Sequence, residues 1–152
     1  MYTIIVAAGA GQRMNSVVPK QFLLLDKKPL LYYSIQTFLE FSPQLQVILV
    51  THSSYQNYIH GLLSLFPKHN RIAIVEGGNT RFESVKNGLC NVPANNIVFI
   101  HDGVRPFADA ALIQRCYDGA VKNGNAVPSI GMKDSLRKIE LGKNYPIDRN
   151  DI

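Results

Sequence analysis

The chain has 152 residues and a formal net charge of +5, with a pI near 9.3, a size that suits one domain with a sizeable core. A hydrophobic fraction of 46% and a charged fraction of 18% exclude intrinsic disorder, and no apolar run approaches the length of a membrane span. The cations are spread along the chain without a basic stripe or interleaved aromatics, which argues against nucleic acid and for small phosphorylated ligands.

The chain passes from Met1 almost directly into an apolar segment with no basic leader, so no signal peptide is expected. Cys90 and Cys116 lack any Cys-x-x-Cys spacing and are expected to be buried thiols of a reducing cytoplasm. The four histidines are scattered, so no zinc site is expected.

Residues 2–6 are short, apolar and β-branched, which predicts a buried strand. The run Val6-Ala7-Ala8-Gly9-Ala10-Gly11-Gln12-Arg13-Met14 then joins that strand to a glycine turn, with Pro19-Lys20-Gln21 beyond it. Small residues from Ala7 to Gly11 let backbone N–H groups approach an anion, and Arg13 and Lys20 add mobile positive charge, the makings of a polyphosphate cradle. A dinucleotide turn would need a third glycine where Met14 stands and an immediate helix. A P-loop would need Gly-Lys-Ser/Thr, but Gln12 follows Gly11. A plain packing turn explains the glycines without explaining the two cations.

After Pro29, residues 30–41 carry apolar side chains at helical spacing. Residues 46–51 read as a continuous buried strand, 55–66 as a helix stopped by Pro67, and 71–75 as a third strand. A helix over 83–92 ends before Pro93, 97–100 form a fourth strand, and 109–123 form a helix whose start signal is Asp109. Residues 126–130 read as another strand. Residues 135–139 and 144–147, joined through Glu140-Leu141-Gly142-Lys143, read as a hairpin or arm. Apolar strands alternating with helices predict an α/β fold with a mostly parallel sheet covered on both faces, whose ligands sit at the carboxyl ends of the strands.

Two further loops carry candidate chemistry. In Glu76-Gly77-Gly78-Asn79-Thr80-Arg81-Phe82-Glu83-Ser84 the glycines turn the chain, and a helix N-terminus faces the ligand edge. Ser84 is placed to hydrogen-bond a base or ribose, and Thr80 reads first as a helix cap. In His101-Asp102-Gly103-Val104-Arg105-Pro106, Asp102 at a strand end is the expected ligand for a nucleotide-bound Mg²⁺. Arg105 is placed to anchor a phosphate or to pair with Asp102. His101 is read as a packed strand histidine without a catalytic role.

Taken in order, these motifs, with Gly77-Gly78-x-x-Arg81-x-x-Ser84-Val85, His101-Asp102-x-x-Arg105-Pro106 and Lys133-Asp134-Ser135, resemble the 2-C-methyl-D-erythritol 4-phosphate cytidylyltransferases over essentially the whole chain. The resemblance implies a Rossmann-like nucleotidyltransferase that joins CTP to methylerythritol phosphate, releases diphosphate, uses Mg²⁺ and dimerises through an extended arm, here 133–149. By the same resemblance Ala7, Ala8, Gly9 and Gly11 form the CTP loop, with Gly77 and Ser84 near cytosine and ribose and Gly103 against the nucleotide. Arg13 and Lys20 stabilise the reacting α-phosphorus and the leaving diphosphate, and Asp102 holds the metal. Arg105 is placed with the acceptor, and Ser135 and Arg149, on the arm and reaching into the partner subunit's site, hold the acceptor's phosphate, Ser135 standing where the family more often has Thr.

Asn79 stands where some relatives carry Asp. The family also runs on past 148–150 with a Gln-Thr-Pro-Gln stretch and a further lysine, so the single domain, 1–152, is expected to lack its C-terminal part. The nearest rival is a ribitol 5-phosphate cytidylyltransferase, whose first motif usually reads Leu-Ala-Gly-Gly against Val6-Ala7-Ala8-Gly9 here. A truncated, non-catalytic nucleotide-binding module is the rival of another class.

Overall fold

The computed structural model describes residues 1–9, 18–67, 69–131 and 135–148. The expected positions Gly11, Arg13, Met14, Lys133, Asp134 and Arg149 lie outside them.

Among the described residues, strand β1 (Tyr2–Val6) is followed by a 3₁₀ turn (Lys20–Phe22) and a short hairpin of β2 (Leu24–Leu25) and β3 (Lys28–Pro29). Helix α1 (Leu30–Phe41), β4 (Gln46–Thr51), α2 (Gln56–Leu63), β5 (Ile72–Glu76), α3 (Arg81–Leu89), β6 (Val98–Asp102) and α4 (Ala110–Asn123) come next, then the arm strands β7 (Leu136–Glu140) and β8 (Lys143–Ile147). The central sheet has four strands in the order β5-β4-β1-β6, all parallel. The expected α/β class and parallel sheet are therefore present.

Alternate residues of the two inner strands bury on opposite faces, which is why these strands read as unbroken apolar runs. Ile5, Val47 and Leu49 pack with Leu31, Ile35 and Phe38 of α1, Ile59 and Leu62 of α2 and Ile113 of α4. Ile4, Ile48 and Val50 form a smaller cluster on the other face, where α3 lies so close that a Cβ on Gly88 would stand 2.8 Å from Ile4.

Local chemistry sets the element ends. Helix α1 stops at Ser42, held extended at ψ 135° because the following Pro43 disfavours helical backbone. Asp109 caps α4 by accepting the Leu112 N–H at 2.7 Å, and Gly124 closes it in the left-handed region at φ 85°. Thr80 caps α3 in a reciprocal capping box with Glu83, which bears out the cap reading.

Several expectations need correction. Residues 126–130 are exposed and form no strand. Residues 125–128 and β6 both line a groove of about 530 Å³, no described strand pairs with this segment, and Pro128 lacks an N–H for a ladder. The loop before α1 holds the β2–β3 hairpin, whose turn residues Asp26 and Lys27 both take positive φ, the signature of a two-residue primed turn. Cys90 is exposed and Cys116 only half-buried, so neither is the buried thiol expected. The arm is a separate two-stranded antiparallel sheet turned by Leu141 and Gly142, also at positive φ. No described helix is long and apolar enough to cross a membrane.

Candidate functional site

Parallel strands point their carboxyl ends the same way, so β1, β5 and β6 deliver three loops to one edge. The ladder continues into those loops: the Ala7 N–H donates to Val50 O at 2.7 Å, Gly77 to Thr51 O at 2.8 Å and Gly103 to Val6 O at 2.9 Å. The loops then pack against one another. A Cβ on Gly77 would lie 2.4 Å from the Ala8 Cβ, and one on Gly103 would lie 2.8 Å from Leu31 and 3.3 Å from the Ala7 Cβ. Glycine is required at both positions by this close approach. Gly9, in contrast, is exposed, and no described residue lies within 4 Å of the place a Cβ would take.

Two buried side chains fix this edge. Gln21, only 2% exposed, donates from Nε2 to Ala7 O at 2.8 Å and to Gly9 O at 3.0 Å. Its amide thereby ties the exposed Lys20 to the glycine loop. Ser34 of α1 donates to Gly103 O at 3.1 Å, anchoring the loop after β6 to the core helix. Ser84 is likewise buried, and its hydroxyl accepts the Gly78 N–H at 3.1 Å, so in this conformation it shapes the glycine turn after β5.

The charge is concentrated at the end of β6. Arg81, from the first turn of α3, places Nε 3.0 Å and Nη2 2.9 Å from Asp102 Oδ1. Arg105 places Nε 3.0 Å from Oδ2. Partial burial pushes the Asp102 carboxyl up, but the hydrogen bonds and charges of Arg81 and Arg105 outweigh it and hold the group below its ordinary value. His101 is lowered, chiefly by burial. Its ring lies edge-on to Phe38, with centroids 5.2 Å apart, and its Nε2 is 3.2 Å from Arg105 O. This is the packed histidine that was expected.

Among the described residues no group of three His, Cys, Asp or Glu side chains could hold a metal. Asp102, whose side chain is 27% exposed, offers a single carboxylate. That donor set fits a Mg²⁺ carried in by nucleotide phosphates, which needs only one or two protein carboxylates, and does not fit a resident ion caged by protein alone.

The structure thus brings Ala7, Ala8, Gly9, Gly77, Ser84, Asp102, Gly103 and Arg105 to one edge. Ser135 is exposed and lies just before β7, the first strand of the arm. Gln21, Ser34 and Arg81 had been assigned no role. Gln21 and Arg81 fall inside quoted motifs, which was the available signal, whereas nothing local marks Ser34.

The sequence model of the 2-C-methyl-D-erythritol 4-phosphate cytidylyltransferase (IspD) family matches residues 1–149. A relative of that name from Azobacteroides pseudotrichonymphae is 40% identical over 150 residues, covering 99% of this chain and 68% of the relative. One from Phocaeicola vulgatus is 39% identical over 150 residues, again covering 99% and 68%. Among solved structures, the 4-diphosphocytidyl-2C-methyl-D-erythritol synthase from Anaerococcus prevotii superposes with a TM-score of 0.80 at 26% identity, covering 98% of this chain and 63% of that one. The chain therefore spans about two thirds of the length of the proteins it matches, and the sheet architecture is Rossmann-like.

Proposed function

The chain belongs to the 2-C-methyl-D-erythritol 4-phosphate cytidylyltransferase family, and we propose that it transfers the cytidylyl group of CTP to the phosphate of 2-C-methyl-D-erythritol 4-phosphate, giving 4-diphosphocytidyl-2-C-methyl-D-erythritol and releasing diphosphate. The observation that carries this reading is the convergence at one sheet edge of the backbone of Ala7 to Gly9, fastened by Gln21, with a carboxylate held between two arginines.

In this reading the backbone of Ala7, Ala8 and Gly9 lies along the triphosphate, while Gly77, Ser84 and Gly103 border the nucleoside. The nucleophile is an oxygen of the acceptor's own phosphate, which is largely dianionic at neutral pH because a monoester's second pKa is about 6. No general base is required. It attacks the α-phosphorus in line as the bond to the β-phosphate oxygen breaks, so the protein's task is positioning and charge stabilisation. Lys20 and Arg13 supply positive charge to the crowded α-phosphorus and the departing diphosphate. Mg²⁺, held at Asp102, supplies neutralisation of the nucleotide's phosphates when bound. Ser135 and Arg149, on the arm, receive the acceptor's phosphate, and Arg105 anchors a substrate phosphate beside Asp102.

We also read the arm as the contact with a second copy of the chain. A lone two-stranded hairpin is marginal in water, and this one exposes Ile139 at 76% and Leu141 at 99%. A cytoplasmic location is supported by the exposed free thiol of Cys90, which suits a reducing compartment.

The test is diphosphate release from CTP and Mg²⁺ with methylerythritol phosphate, ribitol 5-phosphate or no acceptor. Release that depends on methylerythritol phosphate is expected. Release that depends on ribitol phosphate instead would transfer the assignment to that acceptor, and none with either would refute the enzyme reading.

A further inference from the structure

We propose that Arg81 and Arg105 act as a counter-ion lock on Asp102, which excludes a bare divalent cation and opens when a nucleoside triphosphate gives the arginines phosphate oxygens in exchange. The inference rests on the nucleotide site proposed above and specifies the order in which that site fills: nucleotide and metal together, never metal first.

Three observations carry it. Both carboxylate oxygens are engaged, Oδ1 by Nε and Nη2 of Arg81 and Oδ2 by Nε of Arg105, all within 3.0 Å. One carboxylate therefore faces two guanidiniums, and the cluster as a whole is positive. A divalent cation bound about 2.1 Å from either oxygen would sit beside a like charge that already occupies the same oxygen. The arginines are nonetheless free to leave: their side chains are 62% and 74% exposed, and exposed ion pairs contribute little to stability.

The two come from different elements. Arg81 stands in the first turn of α3 behind the Gly77–Gly78 turn, and Arg105 stands three residues beyond Asp102 at the end of β6. Their guanidiniums converge on the one carboxylate, each on a different oxygen. Guanidinium matches phosphate in a bidentate fashion as well as it matches carboxylate, so an arriving triphosphate offers an equivalent partner and releases Asp102 at the moment its own Mg²⁺ needs a ligand. Arg81 is thus a positioning residue, holding Asp102 in reserve. A purely structural ion pair joining α3 to β6 would show none of this exchange.

The deciding measurement is binding of Mn²⁺ alone, followed by the electron spin resonance of the free ion, to the full chain and to Arg81→Gln, Arg105→Gln and Arg81→Gln/Asp102→Asn. Without nucleotide, Arg81→Gln and Arg105→Gln are expected to bind Mn²⁺ about tenfold more tightly than the parent, through loss of a neighbouring like charge, and the added Asp102→Asn to abolish the gain. Arg81→Lys keeps the charge and is expected to stay near the parent. Calorimetry with CTP and no metal should show Arg81→Gln weakened, again by about tenfold for a lost charge-assisted contact.

Unchanged Mn²⁺ affinity in both single variants, or a gain that survives Asp102→Asn, would overturn the lock. Arg105 sits in an exposed loop, so its variant carries the test if Arg81→Gln does not fold. Failure of the parent to bind CTP at all would instead count against the nucleotide site, and the Mn²⁺ comparison would still decide the lock by itself.

Discussion

Replacing Gln21 by Met separates the glycine loop from the rest of the edge with little change in side-chain volume. In the structure the Gln21 amide makes two hydrogen bonds, to Ala7 O at 2.8 Å in a buried setting and to Gly9 O at 3.0 Å in a partly buried one. Each such bond is worth about 0.5–1.5 kcal/mol, and an acceptor left buried without a partner costs about 1–3 kcal/mol. Gly9 is exposed and its carbonyl recovers a water, so the loss concentrates on Ala7, which is 4% exposed. The expected destabilisation is therefore about 2 kcal/mol, which for a domain of this size lowers Tm by roughly 4–8 °C. Gln21→Glu should be worse, because its carboxylate would face two carbonyl oxygens. Urea unfolding measures the destabilisation and calorimetric CTP titration the site, with affinity expected to fall about tenfold as the backbone of Ala7 and Gly9 loses its fixed position. Parent-like stability and CTP affinity in Gln21→Met, with Gln21→Glu tolerated, would refute the idea that this amide organises the loop.

Other outcomes follow from the same geometry. Gly77→Ala drives a methyl to 2.4 Å from the Ala8 Cβ and should cost about 1–3 kcal/mol together with CTP affinity, while Gly77→Ala/Ala8→Gly recovers most of both in a denaturation and binding comparison. Arg71 donates from its terminal nitrogens to the carbonyls of Leu39, Ser42, Pro43 and Leu45 at the end of α1; Arg71→Ala should lose about 2–4 kcal/mol in urea unfolding without altering which acceptor is used. Burial lowers His101 below its ordinary 6.5, so the folded state binds its proton less readily than the unfolded chain does. Its contribution is intact above about pH 6.5 and is lost as the pH falls toward the lowered value. Stability measured from pH 7.5 to 5 should decline less steeply in His101→Gln, and an identical slope would show that His101 does not contribute. Lys20→Ala should reduce kcat far more than CTP affinity, because its charge is used as the transition state develops; a fall in CTP affinity with kcat unchanged would contradict that role.

The sheet was legible where local chemistry is sufficient. The β-branched, unbroken apolar runs at 2–6 and 46–51 bury on both faces, as such runs do in parallel sheets, and Asp109 and Thr80 mark helix starts through contacts a few residues away. Residues 126–130 have the same apolar character, yet a strand exists only with a neighbour to bond, and pairing is not local. The hairpin at 24–29 was hidden for the opposite reason: it has two residues on each side and depends on Asp26 and Lys27 taking positive φ, with no alternating pattern to announce it. At the site, Asp102 was legible as a carboxylate at a strand end, and Gly77 and Gly103 as glycines after strands. What held them was not: Gln21 reaches back to Ala7 and Gly9, Ser34 reaches 69 positions along the chain to Gly103, and Arg81 reaches 21 to Asp102. Those roles arise only when the sheet brings the loops together.

The central claim is transfer of a cytidylyl group onto a phosphate oxygen at the edge formed by the loops after β1, β5 and β6. Phosphorus NMR of the full chain with CTP, Mg²⁺ and 2-C-methyl-D-erythritol 4-phosphate tests it most directly. The account predicts two mutually coupled resonances of an unsymmetrical diphosphate diester growing in step with free diphosphate. CTP left intact, or converted to CMP with no coupled pair, would contradict it.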